Sequence, residues 1–556
     1  MNKKSSKCFW KQSILSAAII AVTVTGTVSA ASEVPEGGWY QPKYHSDLDY
    51  SEMKYTGYDR TKLDAAIREM DEICSLGKAG QEERVEELYE TMVSEIDLFN
   101  TQNTLNDLIY YKDVHNEEAQ EESQKLSQMG NELGDGVFIV LKKAIDSPYG
   151  PFLREKIGES GVEQLEDYKP MTEREFELRA QDLSLVQEYD QALMDSYTAE
   201  VNGEEWTTER YNEEAPEDPD ENYDVYLALS KEKNSVIGEI YKEMVQVRNG
   251  IAQENGYDNY ADYAYKEIYA RDFTTEEIKQ VYREVKDKII PLYTEILAAQ
   301  STTDVNALIE AGEGKKGEEI LDEVEPYIGK IHPELSEAYS YMRDHHLYDI
   351  EADDGKMGVG FTATLYSYGV PFIFNSPSGY YGDYSTVIHE FGHYNQMFHS
   401  LTPSIWELSR MDVFEIHSQG LEMLFYPYAD DLFGEGGEAF RYETVSRMLY
   451  GIREGCLYDE FQNTVYKNPD MSVEEINRTF MEIAREYGYQ YPYGADQAYA
   501  WIEVPHTFES LCTISAMQLR HFHPWTSGWN LWRTEKRPLI NICTFLLWGE
   551  ACLIRK

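Results

Sequence analysis

His389-Glu390-Phe391-Gly392-His393 constrains this chain more than any other segment. The pattern is H-E-x-x-H, and it follows the apolar-leaning stretch Tyr384–Ile388. On a helix, positions i and i+4 lie one turn apart on the same face. Two imidazoles at that spacing can bind one zinc ion, with the glutamate beside the first histidine close to a water on that ion. That arrangement is the working part of a zinc peptidase. The competing reading is a helix with two incidental histidines, one capping and one packed.

A catalytic zinc of this type needs a third protein ligand and an open position. Downstream, Asp412-Val-Phe-Glu415-Ile-His417-Ser-Gln-Gly-Leu-Glu422 predicts a helix that ends before Pro427. Glu415 and Glu422 are seven residues apart and therefore share a face. One of them can bind zinc directly, and the other can hold a ligand histidine through its second ring nitrogen. The alternative is a solvated acidic face, common in so acidic a chain.

The chain has 556 residues, 42% hydrophobic and 27% charged, enough for a large core and two or more packed lobes. Its formal charge of −52 argues against nucleic acid, which needs a basic footprint, and against an anionic membrane surface. It fits a soluble protein that repels its copies, or one that attracts cationic peptides. Lys3, Lys4, Lys7 and Lys11, the mostly apolar run Ile14 to Val28 and the small residues Val28-Ser29-Ala30 read as a cleavable signal peptide. The protein is therefore expected to be secreted or cell-surface associated, with no integral membrane span after cleavage. The six cysteines contain no CxxC pair, so neither a disulfide framework nor a cysteine zinc site is expected.

Helical patterning dominates. Thr61 to Ser75, Gln81 to Phe99, Thr172 to Glu188 and Glu276 to Ala298 place apolar residues at helical spacing among charges. One hairpin is predicted around Asn202-Gly203, between Tyr197–Val201 and Glu204–Thr208. The acidic, two-proline stretch Asn212 to Asp224 reads as an exposed loop between lobes. Gly358 to Leu365 and Pro371 to Phe374 suit short strands beside the zinc helix, either to bind an extended peptide or as a purely structural hairpin. Gly379-Tyr-Tyr-Gly382 reads equally as a mobile loop or an ordinary turn.

HEFGH followed by DVFEIHSQGLE resembles the thimet oligopeptidase and oligoendopeptidase F family of zinc metallopeptidases, the oligoendopeptidase F branch above all. Asn255-Gly-Tyr-Asp-Asn-Tyr-Ala-Asp-Tyr263 and Pro371-Phe-Ile-Phe374 look like further segments of that family, and the likeness covers roughly residues 230 to 510. The resemblance implies a mainly α, two-lobed zincin-type metallopeptidase, with a deep substrate channel and a small β element beside the zinc helix. It implies one Zn2+ per chain, held by His389, His393 and Glu415, with Glu390 as general base and Glu422 behind the ligands. Its substrates would be short unfolded peptides. His417 falls where the family pattern varies and takes no role, and His399 is expected on the surface of the zinc helix. The expected organisation is a signal peptide over 1–30, an N-terminal helical lobe over 31–211, a zinc peptidase region over 212–510 and a tail over 511–556.

The likeness fails at one place. Trp501-Ile-Glu-Val-Pro-His506 resembles the start of a late segment in which a histidine and several tyrosines donate hydrogen bonds to the reaction's oxyanion, making His506 the matching histidine. The tyrosines do not follow: all 44 lie at or before Tyr499. Residues 511–556 hold four of the nine tryptophans and three of the six cysteines, with six Arg or Lys against two Glu. This basic tail on an acidic body reads as out of frame, against the alternative of a divergent C-terminal helix. The second functional reading is accordingly a zinc-containing, peptide-binding protein with little or no turnover.

Overall fold

The computed structural model describes residues 45–509 except 79, 354, 401, 408–410 and 490–495. The signal-peptide reading and the tail lie outside the described residues. Helices dominate, with two small sheets, and no described helix is long and apolar enough to cross a membrane.

The chain forms two compact units. One comprises Met171–Leu297 and the described residues from Ser446 onward. Its frame is the helix Pro219–Glu254 packed along the helix Glu173–Met194. Arg248 is buried, with Nε donating to Asp182 at 2.7 Å, Nη1 to Tyr466 at 3.3 Å and Nη2 to the Phe508 carbonyl. The predicted hairpin is here: β1 (Thr198–Val201) pairs antiparallel with β2 (Glu204–Thr207). Asn202 and Gly203 both have positive φ, 55° and 81°, as a type I′ turn requires.

The other unit comprises residues 45–170 and Ala298–Val445 and carries both candidate site helices. Helices Thr61–Leu76, Glu82–Lys112 and Glu117–Ile145 enclose a core around Met70, Leu88, Met92, Val137 and Leu141. Ile405 and Trp406 join that core, and the Trp406 Nε1 donates to the Tyr89 hydroxyl at 3.0 Å. Asp97 accepts from the amide and hydroxyl of Ser404, both at 2.8 Å. The segment between the two site helices is thus fastened to the first three helices.

A second core of the same unit lies between a three-stranded sheet and the helix Gly382–His399. The strands are β3 (Tyr348–Asp349), β4 (Gly360–Leu365) and β5 (Val370–Asn375), in the order β3-β5-β4. β5 is central and buried along its whole length, so it reads as a continuous apolar run rather than an alternating one. Tyr384, Val387, Ile388, Phe391, Tyr394 and Phe398 make up the helix's buried stripe. Each such side chain contributes roughly 1.5–3 kcal/mol by leaving water.

Three expectations are corrected. The stretch Asn212 to Asp224 is mostly helix: Thr208–Glu214 ends one helix and Pro219 begins the next, leaving only 215–218 between them. Asp218 caps the second helix by accepting from the amides of Asp220 and Glu221, with proline at its first position. The acidic residues there are a helix start, favoured by the helix dipole, rather than a linker. The stretch also lies within one compact unit, and the chain passes between units at 170/171, 297/298 and 445/446 instead of near 212. Helix Glu82–Lys112 runs well past Phe99, because its second half buries polar side chains that have partners. Gln102 accepts from Thr56 N at 2.7 Å, and Asn106 donates to the Ala119 carbonyl at 2.9 Å. Glu276 to Ala298 is interrupted by a π turn, Val285–Ile289, directly before Ile290-Pro291. A wider turn there relieves the proline ring's crowding of the carbonyl four residues back.

Lys356 fastens the sheet to its surroundings. Its buried ammonium donates to Asp349 Oδ1 at 2.6 Å and to the carbonyls of Asp349, Glu351 and Asn375 at 3.1, 2.8 and 2.7 Å. Lys356→Met leaves these oxygens without their donor. The urea transition that unfolds this unit is expected to lose about 3–5 kcal/mol, and an unchanged midpoint would contradict the assignment.

Candidate active site

The helix Gly382–His399 starts from a tied turn. Asp383, in its first turn, accepts from Ser378 N and Oγ at 3.0 Å each, Gly379 N at 2.8 Å and Tyr380 N at 3.1 Å. Gly379 has φ +73° and its carbonyl accepts from Gly314 N at 3.0 Å, so residues 378–380 are held in place. A carboxylate in the first turn also complements the helix dipole. The apolar stripe packs against Tyr339 and Phe433, while Thr386 and Glu390 meet β4 of the sheet.

The companion helix is Met411–Phe425, which ends before Pro427 as predicted. The two helices touch backbone to backbone at Gly392. A Cβ there would lie 2.5 Å from Ser418 Cα and 2.9 Å from the His417 carbonyl oxygen. Only glycine permits this approach without displacing one helix.

The approach brings the carboxylates to the imidazoles. Glu415 Oε2 lies 3.1 Å from His389 Nε2 and 3.4 Å from His393 Nε2. Glu422 Oε1 lies 2.8 Å from His389 Nδ1. Ser418 is fully buried and donates its hydroxyl to Glu415, whose Oε2 is at 3.0 Å and carbonyl at 3.1 Å. Burial alone would lower the pKa of His389; its hydrogen bonds to Glu415 and Glu422 overcome this and push it up to about 10. With Nδ1–H donating to Glu422, Nε2 is the nitrogen that faces the common centre.

His389, His393 and Glu415 offer three ligand atoms within 4.8 Å of one another, the only such group of three among the described residues. Zinc–ligand bonds of 2.0–2.1 Å in a tetrahedron put neighbouring ligand atoms about 3.3–3.4 Å apart. The 3.1 and 3.4 Å from Glu415 Oε2 to the two imidazoles fit that spacing, and all three ligand atoms lie within 4.8 Å of one another. Two imidazoles and one carboxylate are a zinc donor set with a position left open.

Glu390 is buried between helix and sheet, and the Thr362 hydroxyl of β4 lies 2.8 Å from its Oε2. His399 is exposed at the end of its helix, and His417 is exposed on the companion helix. His506 begins the short helix His506–Glu509 in the other unit, half-buried, with its pKa lowered by burial. Sequence reasoning missed Gly392, Ser418 and Thr362. Gly392 carried a signal, being a helix-interior glycine beside the motif; the two hydroxyls carried none.

No family profile matches the sequence, and no curated protein matches it. Solved structures do. A putative oligoendopeptidase F is 22% identical over 90% of this chain and 95% of that one, with a TM-score of 0.67. PZ peptidase A with an inhibitor is 22% identical over 90% and 92%, with a TM-score of 0.69. A putative oligoendopeptidase F from Bacillus anthracis str. Ames is 20% identical over 91% and 92%, with a TM-score of 0.64. The chain therefore has a mainly α fold. More narrowly, it shares the fold of these oligoendopeptidase F and PZ peptidase structures.

Two substitutions test the geometry. Gly392→Ala must move one helix, and is expected to lower zinc content after dialysis while the far-ultraviolet helix signal persists. Glu422→Gln removes the carboxylate behind His389 and is expected to weaken zinc binding about ten- to hundredfold in a competition titration. Wild-type affinity in both would show that the helix contact and the histidine clamp do not shape the centre.

Proposed function

We propose that this protein is a secreted zinc metalloendopeptidase that hydrolyses short, unfolded peptides. The observation that carries the reading is the donor triangle of His389, His393 and Glu415, with Glu422 behind it and Glu390 one residue along the helix. A zinc ion held by that triangle would acidify a water and polarise the scissile carbonyl. Glu390 takes the proton from the attacking water and returns it to the leaving amine. Glu415 is kept on the imidazoles by Ser418, and His389 is kept in one tautomer by Glu422. His506 is proposed as a donor to the oxyanion, on the strength of the sequence resemblance alone. Export is proposed on the basic and apolar lead over residues 3–30 alone.

One observation favours a second reading. No tyrosine follows Tyr499, so the donors expected after His506 are missing from the sequence. A chain without them would hold zinc and bind peptides with little turnover.

Metal analysis is expected to give about one zinc per chain. An internally quenched short peptide is expected to be cut, and a chelator to stop the cutting. Glu390→Gln is expected to keep its zinc and lose cutting by at least about a hundredfold. Full activity in that variant would remove Glu390 from the mechanism. One zinc per chain without cutting by the wild type would favour the binding-only reading.

A further inference from the structure

The peptidase reading, on which this inference rests, leaves open which oxygen of Glu390 does the work. Thr362 answers that. It stands on β4, an edge strand, opposite Ile373 of the central strand. Its hydroxyl lies 2.8 Å from Glu390 Oε2 and 3.0 Å from the Glu390 carbonyl oxygen. Strand and helix are close enough here to fix the contact: a Cβ on Gly360 would lie 2.9 Å from Thr386 Cγ2.

A hydroxyl has one proton to give. Of the two acceptors, Oε2 is the nearer, while the carbonyl is already part of the helix ladder. The proton therefore goes to Oε2. Glutamate has three rotatable side-chain bonds, and a carboxylate held at neither oxygen can present either one, or turn away. Thr362 removes that freedom from a side chain that is only 5% exposed. Oε1 is then the oxygen left to the reaction.

We infer that Thr362 is the positioning residue of the general base: it holds Glu390 Oε2 so that Oε1 takes the proton. It touches neither substrate nor metal in this scheme. The hydroxyl is the part that matters, since a β-branched residue at 362 already suits the strand.

Thr362→Val keeps the shape and removes the hydroxyl, and Thr362→Ser keeps the hydroxyl. In the full-length zinc-loaded protein, Thr362→Val is expected to lower kcat roughly ten- to hundredfold. KM and zinc content should stay at wild-type values. Thr362→Ser is expected to recover kcat to within about threefold, which a packing role would not predict. A crystal structure of Thr362→Val should show the Glu390 carboxylate rotated from its wild-type position. An unmoved carboxylate, an unchanged kcat, or a loss shared equally by kcat and zinc content would each overturn the inference. A wild type that cuts no peptide would count against the peptidase reading instead, and the position of Glu390 in the variant would still decide the role of Thr362.

Discussion

The contact at Gly392 is the constraint on which the site depends. The motif supplies two imidazoles from one helix, but three ligands must come from two helices. A carboxylate on the companion helix reaches both imidazoles because nothing separates the backbones at Gly392 and Ser418. The rest of the unit serves that approach. The apolar stripe and the Thr362–Glu390 contact with the sheet set the rotation of the first helix, and the Ser404–Asp97 and Trp406–Tyr89 bonds hold residues 404–406 ahead of the second. A small displacement anywhere in this chain of contacts would be felt as a change in ligand spacing, since packed interiors transmit strain rather than absorb it.

The electrostatics of the centre follow from the same packing. Two carboxylates converge on one imidazole, Glu415 at Nε2 and Glu422 at Nδ1. Taken alone, burial disfavours a charged His389; the carboxylates outweigh it and favour a positive charge between them. A proton and a divalent cation satisfy that need at the same nitrogen. A metal ion bound there would take the place of the proton on Nε2, and its uptake would strengthen as the pH rises. Glu422 cannot be displaced in the same way, because it holds the opposite nitrogen. Its part is to keep the ring oriented whichever cation is present.

What was legible in the sequence was what has a fixed spacing. Imidazoles four apart and carboxylates seven apart on helices have to share faces, and Asn202-Gly203 has few conformations other than a hairpin turn. What was not legible depended on partners distant in sequence. The second half of Glu82–Lys112 looks too polar to be core until Thr56, Ala119 and Ser123 are seen to satisfy it. The acidic run before Pro219 looks like a linker until Asp218 is recognised as a cap. Thr362 and Ser418 are ordinary hydroxyl residues in sequence. Only the fold brings them to Glu390 and Glu415.

The geometry also separates two properties that a motif search would merge. His389, His393 and Glu415, with Glu422, Glu390 and Thr362 around them, all lie between Thr362 and Glu422, within one compact unit. The candidate ligand side chains therefore come from about sixty consecutive residues. Stabilising an oxyanion calls for donors placed where charge develops in the transition state, and no tyrosine follows Tyr499 to serve as one. The two can fail independently. Metal binding and peptide cleavage would thus report on different parts of this sequence, and neither could stand in for the other.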